Sequence, residues 1–215
     1  MASVESTTIE LAEVLAADAA EVASDPMPPA RRRFSVEEYY KMAEAGILKP
    51  NERVELIDGD IITMCPMGSK HSGSIQRLNL LLIKTFDPRA AVSVQCPVRL
   101  DHRTEPEPDF ALLKPRADNY DDAHPGPADV YVMIEVMDTS AKYDRNKKLR
   151  LYARFGLPEI WLLDLKNERI EIHCRPMGEF YKEKRIVSRG ERFAPVAFPD
   201  AVLEVDAILG AKRQS

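Results

Sequence analysis

Residues 130–137 read VYVMIEVM, a segment in which every residue except Glu135 is apolar or aromatic. A continuous run of this length is typical of a strand at the centre of a sheet that is covered on both faces. A carboxylate inside such a strand costs free energy unless it is paired or binds a cation. Glu135 is therefore either a strand-end residue that faces an arginine or a functional carboxylate.

The segments around this strand predict an alternation of helices and strands. Ser35 and Glu38 form a capping box that begins a helix ending near Gly46, and Asp58-Gly59 is the signature of a two-residue hairpin. Apolar periodicity and turn residues predict the other elements: helices over 70–86 and 141–155, strands over 92–100, 110–114, 159–165, 169–174 and 180–188, and a short closing segment over 202–209. This order predicts an α/β fold with a mixed central β-sheet flanked by helices, preceded by an N-terminal hairpin.

The charge of the chain is unevenly distributed. The 215 residues have a formal net charge of -5, yet residues 1–30 hold six acidic residues and no Lys or Arg, so the rest of the chain is nearly neutral. We expect residues 1–30 to be a flexible acidic tail, residues 31–210 to form one domain, and residues 211–215 to be a C-terminal tail. Near-neutrality excludes a strongly basic, histone-like binder but allows a local basic surface.

Several other classes of protein are disfavoured by the composition. No segment approaches the roughly 18–20 apolar residues of a membrane helix, and the N-terminus lacks the features of a secretory signal. The three cysteines, Cys65, Cys96 and Cys174, are widely spaced and form no CxxC pair. This spacing argues against a disulfide framework or a thiolate zinc site and predicts a cytoplasmic protein. No GxSxG, Walker A or HExxH motif is present.

A second carboxylate, Asp109, begins the predicted strand over 110–114, directly after the acidic stretch EPEP. If this strand neighbours the one that contains Glu135, strand alternation lets the two carboxylates converge at one mouth of the sheet. Paired carboxylates without a nearby His or Cys ligand suit a hard cation, Mg²⁺ or Mn²⁺. Alternatively, Asp109 only caps the turn after Pro108.

A basic cluster follows the central strand. Its six members are Lys142, Arg145, Lys147, Lys148, Arg150 and Arg154. Their simplest interpretation is a solvated helix face. Lys148, however, precedes the inward-facing Tyr152 by four residues, so it lies near the boundary of the buried face and can direct its ammonium toward Glu135.

Three polar residues in the first half of the chain are further candidates. Glu55 lies in the strand VELI, where a half-exposed hairpin would also explain it, and His71 lies near the start of the helix over 70–86. A lone histidine is more often structural than catalytic. Gln95 is a weaker candidate than either.

Two carboxylates on adjacent strands together with a lysine resemble the signature of the PD-(D/E)XK nuclease superfamily. Pro108-Asp109 supplies the PD and Glu135 the second acid. The whole order is similar to that of the Uma-type restriction endonuclease family over about residues 34–209. The matching segments are ERVELIDGDI (52–61), the helix that begins at His71, EPEPDFALL (105–113), VYVMIEVMDTS (130–140) and KLRLYARFGLPEIWLLD (148–164).

The resemblance implies a restriction-endonuclease-like fold and a Mg²⁺- or Mn²⁺-dependent endonuclease that hydrolyses DNA with a metal-activated water. The catalytic residues that it implies by motif position are Glu55, Asp109, Glu135 and Lys148, with His71 as an accessory. Its metal ligands would be Asp109, Glu135 and Glu55. The basic helix, with Arg77 or Arg99, would neutralise the DNA backbone.

One position departs from the superfamily signature. The residue two after Glu135 is Met137 instead of lysine, so the lysine has to come from the following helix. Lys148 is our choice, and Lys147 and Lys142 are the alternatives.

Two other functions stay open at this point. One is a catalytically silent nucleic-acid-binding or interaction module with the same fold, and the other is a hydrolase that acts on something other than nucleic acid. An active enzyme that cuts both DNA strands needs two sites, so we also expect a homodimer.

Overall fold

The computed structural model of the chain describes residues 31–137 and 147–211. The predicted acidic tail over residues 1–30 lies outside the described residues. So does the first part of the helix predicted over 141–155, with Lys142 and Arg145. The proposed domain boundaries therefore stay predictions.

The N-terminal hairpin forms where the sequence predicts it. β1 (Val54–Ile57) and β2 (Asp60–Thr63) pair antiparallel. The two turn residues, Asp58 and Gly59, have φ angles of 52° and 77°, as a type I′ turn requires. The helix before the hairpin, α1 (Val36–Glu44), begins with the predicted capping box.

Six strands form a central sheet and hydrogen-bond in chain order. They are β3 (Ala91–Val94), β4 (Phe110–Leu113), β5 (Val130–Met137), β6 (Glu159–Asp164), β7 (Arg169–Met177) and β8 (Phe180–Ser188). β5 and β6 are parallel, whereas every other neighbouring pair is antiparallel. The predicted mixed central sheet is therefore confirmed. The strand that contains Glu135, β5, lies at an interior position.

Helices cover the two faces of the sheet. One face packs against α2 (Ser69–Phe86) and the short C-terminal helix α4 (Val205–Leu209), and the core there is apolar. The other face packs against α3 (Leu149–Arg154) and the hairpin residue Ile57. Met133 of β5 lies in this second core, and Glu135 follows it by two residues. Strand alternation therefore directs the Glu135 side chain to the α3 face.

The C-terminal part of the chain packs on the face of the sheet that α2 covers. β9 (Arg192–Phe193) and β10 (Leu203–Glu204) form a small antiparallel pair that leads into α4, in agreement with the predicted closing segment over 202–209. Among the described helices, none combines the length and the apolar character that a membrane crossing requires.

The predicted strand over 92–100 is wrong beyond Val94. Gln95 has a φ of 49°, which turns the chain out of the extended conformation. Its backbone N–H donates to the carbonyl of Asp109 at 3.1 Å. The early end of β3 therefore places Gln95 beside the residue that begins β4.

Substitution of two leucines of α2 tests which face of that helix packs against the core. Leu82 is fully buried and Leu80 is 72% exposed. Leu82→Ala is expected to lower the free energy of unfolding by about 2–5 kcal/mol, because it removes buried methyl groups and leaves a cavity. Leu80→Ala is expected to change it by about 0.5 kcal/mol or less. Urea unfolding measures both, and equal losses would contradict the packing described.

Candidate active site

Three buried charged side chains meet on the α3 face of the sheet. Glu55, Glu135 and Lys148 are each no more than 5% exposed. The Lys148 Nζ lies 3.1 Å from Glu55 Oε2 and 3.2 Å from Glu135 Oε1. The Lys148 ammonium therefore forms ion pairs with two carboxylates, one on β1 and one on β5. Its attraction for both offsets part of the free energy that burial of the charges costs.

The start of α3 positions the lysine. Lys148 directly precedes the helix, and Tyr152 lies four residues later on the same helical face. The Tyr152 hydroxyl donates to Glu135 Oε1 at 2.5 Å, and the Lys148 ammonium contacts that same oxygen. Glu135 thus accepts from Tyr152 of α3 and from Lys148, the residue directly before this helix.

A second pair of polar side chains lies where β4 begins. The His71 Nε2 is 2.9 Å from Asp109 Oδ1, and the Gln95 side-chain amide donates to the same oxygen at 3.3 Å. Asp109 Oδ2 accepts the backbone N–H of Val136 at 2.8 Å. The Asp109 carboxylate is therefore anchored to β5, to α2 and to the end of β3.

The sheet register relates this pair to the buried cluster. β4 and β5 pair Phe110 with Ile134, and one further step along both strands brings Asp109 opposite Glu135. Val136, which donates to Asp109, directly follows Glu135. The two carboxyl-bearing residues therefore lie at the same end of adjacent strands.

Of the lysines considered in the sequence, Lys148 lies at the carboxylates of Glu55 and Glu135. Lys147 is exposed, and Lys142 lies outside the described residues. Met137, at the position where the superfamily signature has lysine, is 1% exposed in the core of the α3 face.

Arg77 and Arg99 have partners within the fold. Arg77 donates to the backbone carbonyls of Ile208 and Leu209 at the end of α4. Arg99 forms an ion pair with the buried Glu105 at 2.8 Å. These contacts give both arginines structural roles and explain their presence without DNA.

Sequence reasoning missed two residues of the site. Tyr152 was predicted only as an inward-facing residue, although its spacing of four from Lys148 was available as a signal. Glu107 was not selected, yet its backbone N–H donates to Glu55 Oε2 at 3.2 Å. Burial raises the pKa of the Glu107 carboxyl; Arg53 opposes this shift and Glu55 adds to it. The alternation of acids in EPEPD was the signal for Glu107.

The donor chemistry of the site fits a hard divalent cation. Glu55, Asp109 and Glu135 offer carboxylate oxygens, the ligands that Mg²⁺ and Mn²⁺ prefer. Three carboxylates against the one ammonium of Lys148 give an excess of negative charge. As they stand, no three His, Cys, Asp or Glu side chains of the described residues are grouped to hold a metal ion. The match between these carboxylates and a divalent cation therefore rests on the type of ligand atom and on the negative charge.

Removal of the shared ammonium is expected to destabilise the fold. Lys148→Met leaves Glu55 and Glu135 buried without it, which costs about 3–5 kcal/mol when one partner of a buried pair is lost. Lys147→Met alters an exposed neighbour and is expected to cost about 0.5 kcal/mol or less. The free energy of urea unfolding distinguishes the two variants. A small, equal effect of both would show that the buried contacts do not form in solution.

No curated protein matches the chain. The fold is similar to the crystal structure of a "putative nuclease belonging to DUF820" from Anabaena variabilis ATCC 29413, with a TM-score of 0.63 and 16% sequence identity. This similarity covers 82% of the present chain and 97% of the other, and it shows the fold. Residues 36–206 match the family Uma2, described as "Putative restriction endonuclease". Because this match covers most of the chain and confirms the resemblance seen in the sequence, the chain belongs to the Uma2 family.

Proposed function

We propose that the chain is a Mg²⁺-dependent endonuclease that hydrolyses phosphodiester bonds of DNA, with Mn²⁺ as an alternative cation. Membership of a family described as restriction endonucleases supports a nuclease. The proposal assigns the site to the PD-(D/E)XK type, with Asp109 and Glu135 as its acids and Lys148 as its lysine.

The observation that carries the proposal is the burial of Lys148 between Glu55 and Glu135. A lysine on a basic helix ordinarily keeps its ammonium in water. Apolar residues often replace a buried ion pair without loss of stability, so packing alone does not require these charges. Buried charges that converge from three elements are typical of functional sites.

The cation would be held by Asp109 and Glu135, with Glu55 as a third carboxylate. When bound, a divalent cation supplies positive charge to a phosphate oxygen and lowers the pKa of a coordinated water. Glu107, half-buried beside Glu55, adds acidic character at the rim of the site.

Lys148 would orient the attacking water or an oxygen of the scissile phosphate. Its ammonium pairs with Glu55 and Glu135, so it already lies at the site before the substrate arrives. A positive charge placed there stabilises the negative charge that develops in the transition state. His71 would act as an accessory residue that keeps the Asp109 carboxylate in place.

Exposed cations on the helix of the catalytic lysine would bind the DNA backbone. Arg150 and Arg154 form surface ion pairs with Glu179 and Asp58. Such pairs contribute little free energy, so phosphates can compete for both arginines and for the exposed Lys147.

Cleavage of both DNA strands requires two active sites. The chain would therefore act as a homodimer.

Isosteric changes at the two acids test the chemistry. Asp109→Asn and Glu135→Gln keep the size of each side chain but remove a carboxylate that the cation needs. Each is expected to slow Mg²⁺-dependent nicking of supercoiled plasmid DNA by more than about 100-fold, the scale of a single group that stabilises a transition state. EDTA is expected to abolish nicking by the wild type.

The control for these variants is Asp200→Asn, because Asp200 is 70% exposed and pairs only at the surface with Arg89. Its nicking rate is expected to equal that of the wild type. Equal activity in all four proteins would assign the cutting to a contaminant or to another site.

Metal binding is expected to stabilise the folded chain without DNA. At a Mg²⁺ concentration 100 times the Kd, the free energy of unfolding is expected to rise by about 2.7 kcal/mol. Glu135→Gln is expected to lose most of this gain in urea unfolding with and without Mg²⁺. A catalytically silent module would instead bind DNA without nicking it and without stabilisation by Mg²⁺ at Glu135.

A further inference from the structure

The hydroxyl of Tyr152 contacts the Glu135 carboxylate from a fully buried ring. Tyr152 is 0% exposed and packs in the core of the α3 face with Leu151, Leu157 and Ile160. Its phenol ring therefore has little freedom to turn. The 2.5 Å contact from its hydroxyl reaches Glu135 Oε1, so a rigid group from the core touches a proposed metal ligand.

Lys148 differs from Tyr152 in this respect. Its ammonium ends a flexible side chain and is shared between Glu135 Oε1 and Glu55 Oε2. A phosphate or a cation that enters the site competes with these ionic contacts and can draw the ammonium away. The phenol cannot follow such a movement, since the surrounding core fixes its ring.

We propose that Tyr152 is a positioning residue that holds the Glu135 carboxylate in the orientation from which it binds the divalent cation. This inference rests on the proposed function, because it concerns the same metal site. Hydrogen bonds to ligating carboxylates fix their orientation, and loss of such a bond typically weakens metal binding by about 10–100-fold. Tyr152 contacts the ligand and not the substrate.

The chain offers a matched control in Tyr181. Its hydroxyl also donates a hydrogen bond, to the backbone carbonyl of Leu157 at 2.9 Å. Its ring packs against the same core on the α3 face. Tyr181→Phe therefore removes a comparable tyrosine hydroxyl without altering a contact to a carboxylate.

The test measures the binding of Mn²⁺ to the full chain in the absence of DNA. Electron paramagnetic resonance gives the concentration of the free ion. Tyr152→Phe is expected to raise the Kd for Mn²⁺ by about tenfold or more, whereas Tyr181→Phe is expected to leave it unchanged. In nicking assays, Tyr152→Phe is expected to need more Mn²⁺ for half-maximal rate, with an unchanged KM for DNA.

The outcomes separate this inference from the proposed function. If Glu135→Gln weakens Mn²⁺ binding but Tyr152→Phe binds as tightly as the wild type, the positioning role is wrong and the metal site stands. If Tyr181→Phe weakens binding as much as Tyr152→Phe, the effect is one of general packing and the role is again wrong. If the wild type binds no Mn²⁺ through Glu135, the metal site itself fails and the inference fails with it.

A measurement on the wild type covers the case in which Tyr152→Phe does not fold. Tyrosine labelled with ¹³C at Cζ reports on the hydrogen bond of each hydroxyl by nuclear magnetic resonance. Addition of diamagnetic Mg²⁺ is expected to shift the Tyr152 signal, assigned through its backbone, and to leave the Tyr181 signal in place. A Tyr152 signal that does not move at saturating Mg²⁺ would overturn the proposal.

Discussion

The ammonium of Lys148, buried between the carboxylates of Glu55 and Glu135, links three parts of the chain that share one core. β1 brings Glu55, the central strand β5 brings Glu135, and the start of α3 brings the lysine. Each of these groups would be costly to bury alone. The hairpin, β5 and α3 are therefore linked by one cluster of buried ion pairs on this face of the sheet.

The two faces of the sheet have cores of different composition. The face under α2 and α4 holds a mostly apolar core with large side chains such as Trp161, Phe86 and Phe110. The buried Glu159 carboxylate on this face accepts the indole N–H of Trp161. The α3 face combines an apolar core with the buried charges. The apolar face supplies hydrophobic stabilisation that does not depend on the site, so the opposite face can carry groups whose burial costs free energy.

Local signals in the sequence predict much of the fold. The capping box at Ser35, the turn at Asp58-Gly59 and the apolar run over 130–137 each act through nearby residues, and the structure has all three features. The end of β3 at Val94 could not be predicted in this way. It depends on the positive φ of Gln95 and on its bond to Asp109, a residue distant in the sequence.

The candidate site could likewise be predicted only where local sequence signals determine it. The burial of Glu135 could be predicted from its strand, and the inward position of Lys148 from the spacing to Tyr152. The contact of Lys148 with Glu55 could not, because it depends on how the hairpin packs against β5 and α3. The contact from the Tyr152 hydroxyl to Glu135 could not be predicted either, because an inward-facing tyrosine indicates only a core residue until its partner is known.

The most direct test of the central claim is the anomalous diffraction of a crystal soaked with Mn²⁺. The proposed site predicts a Mn²⁺ peak within about 2.5 Å of carboxylate oxygens of Asp109 and Glu135, with the Lys148 ammonium close to it. Peaks only at surface carboxylates, or no peak beside Lys148 at saturating Mn²⁺, would contradict the assignment of these carboxylates as a metal site.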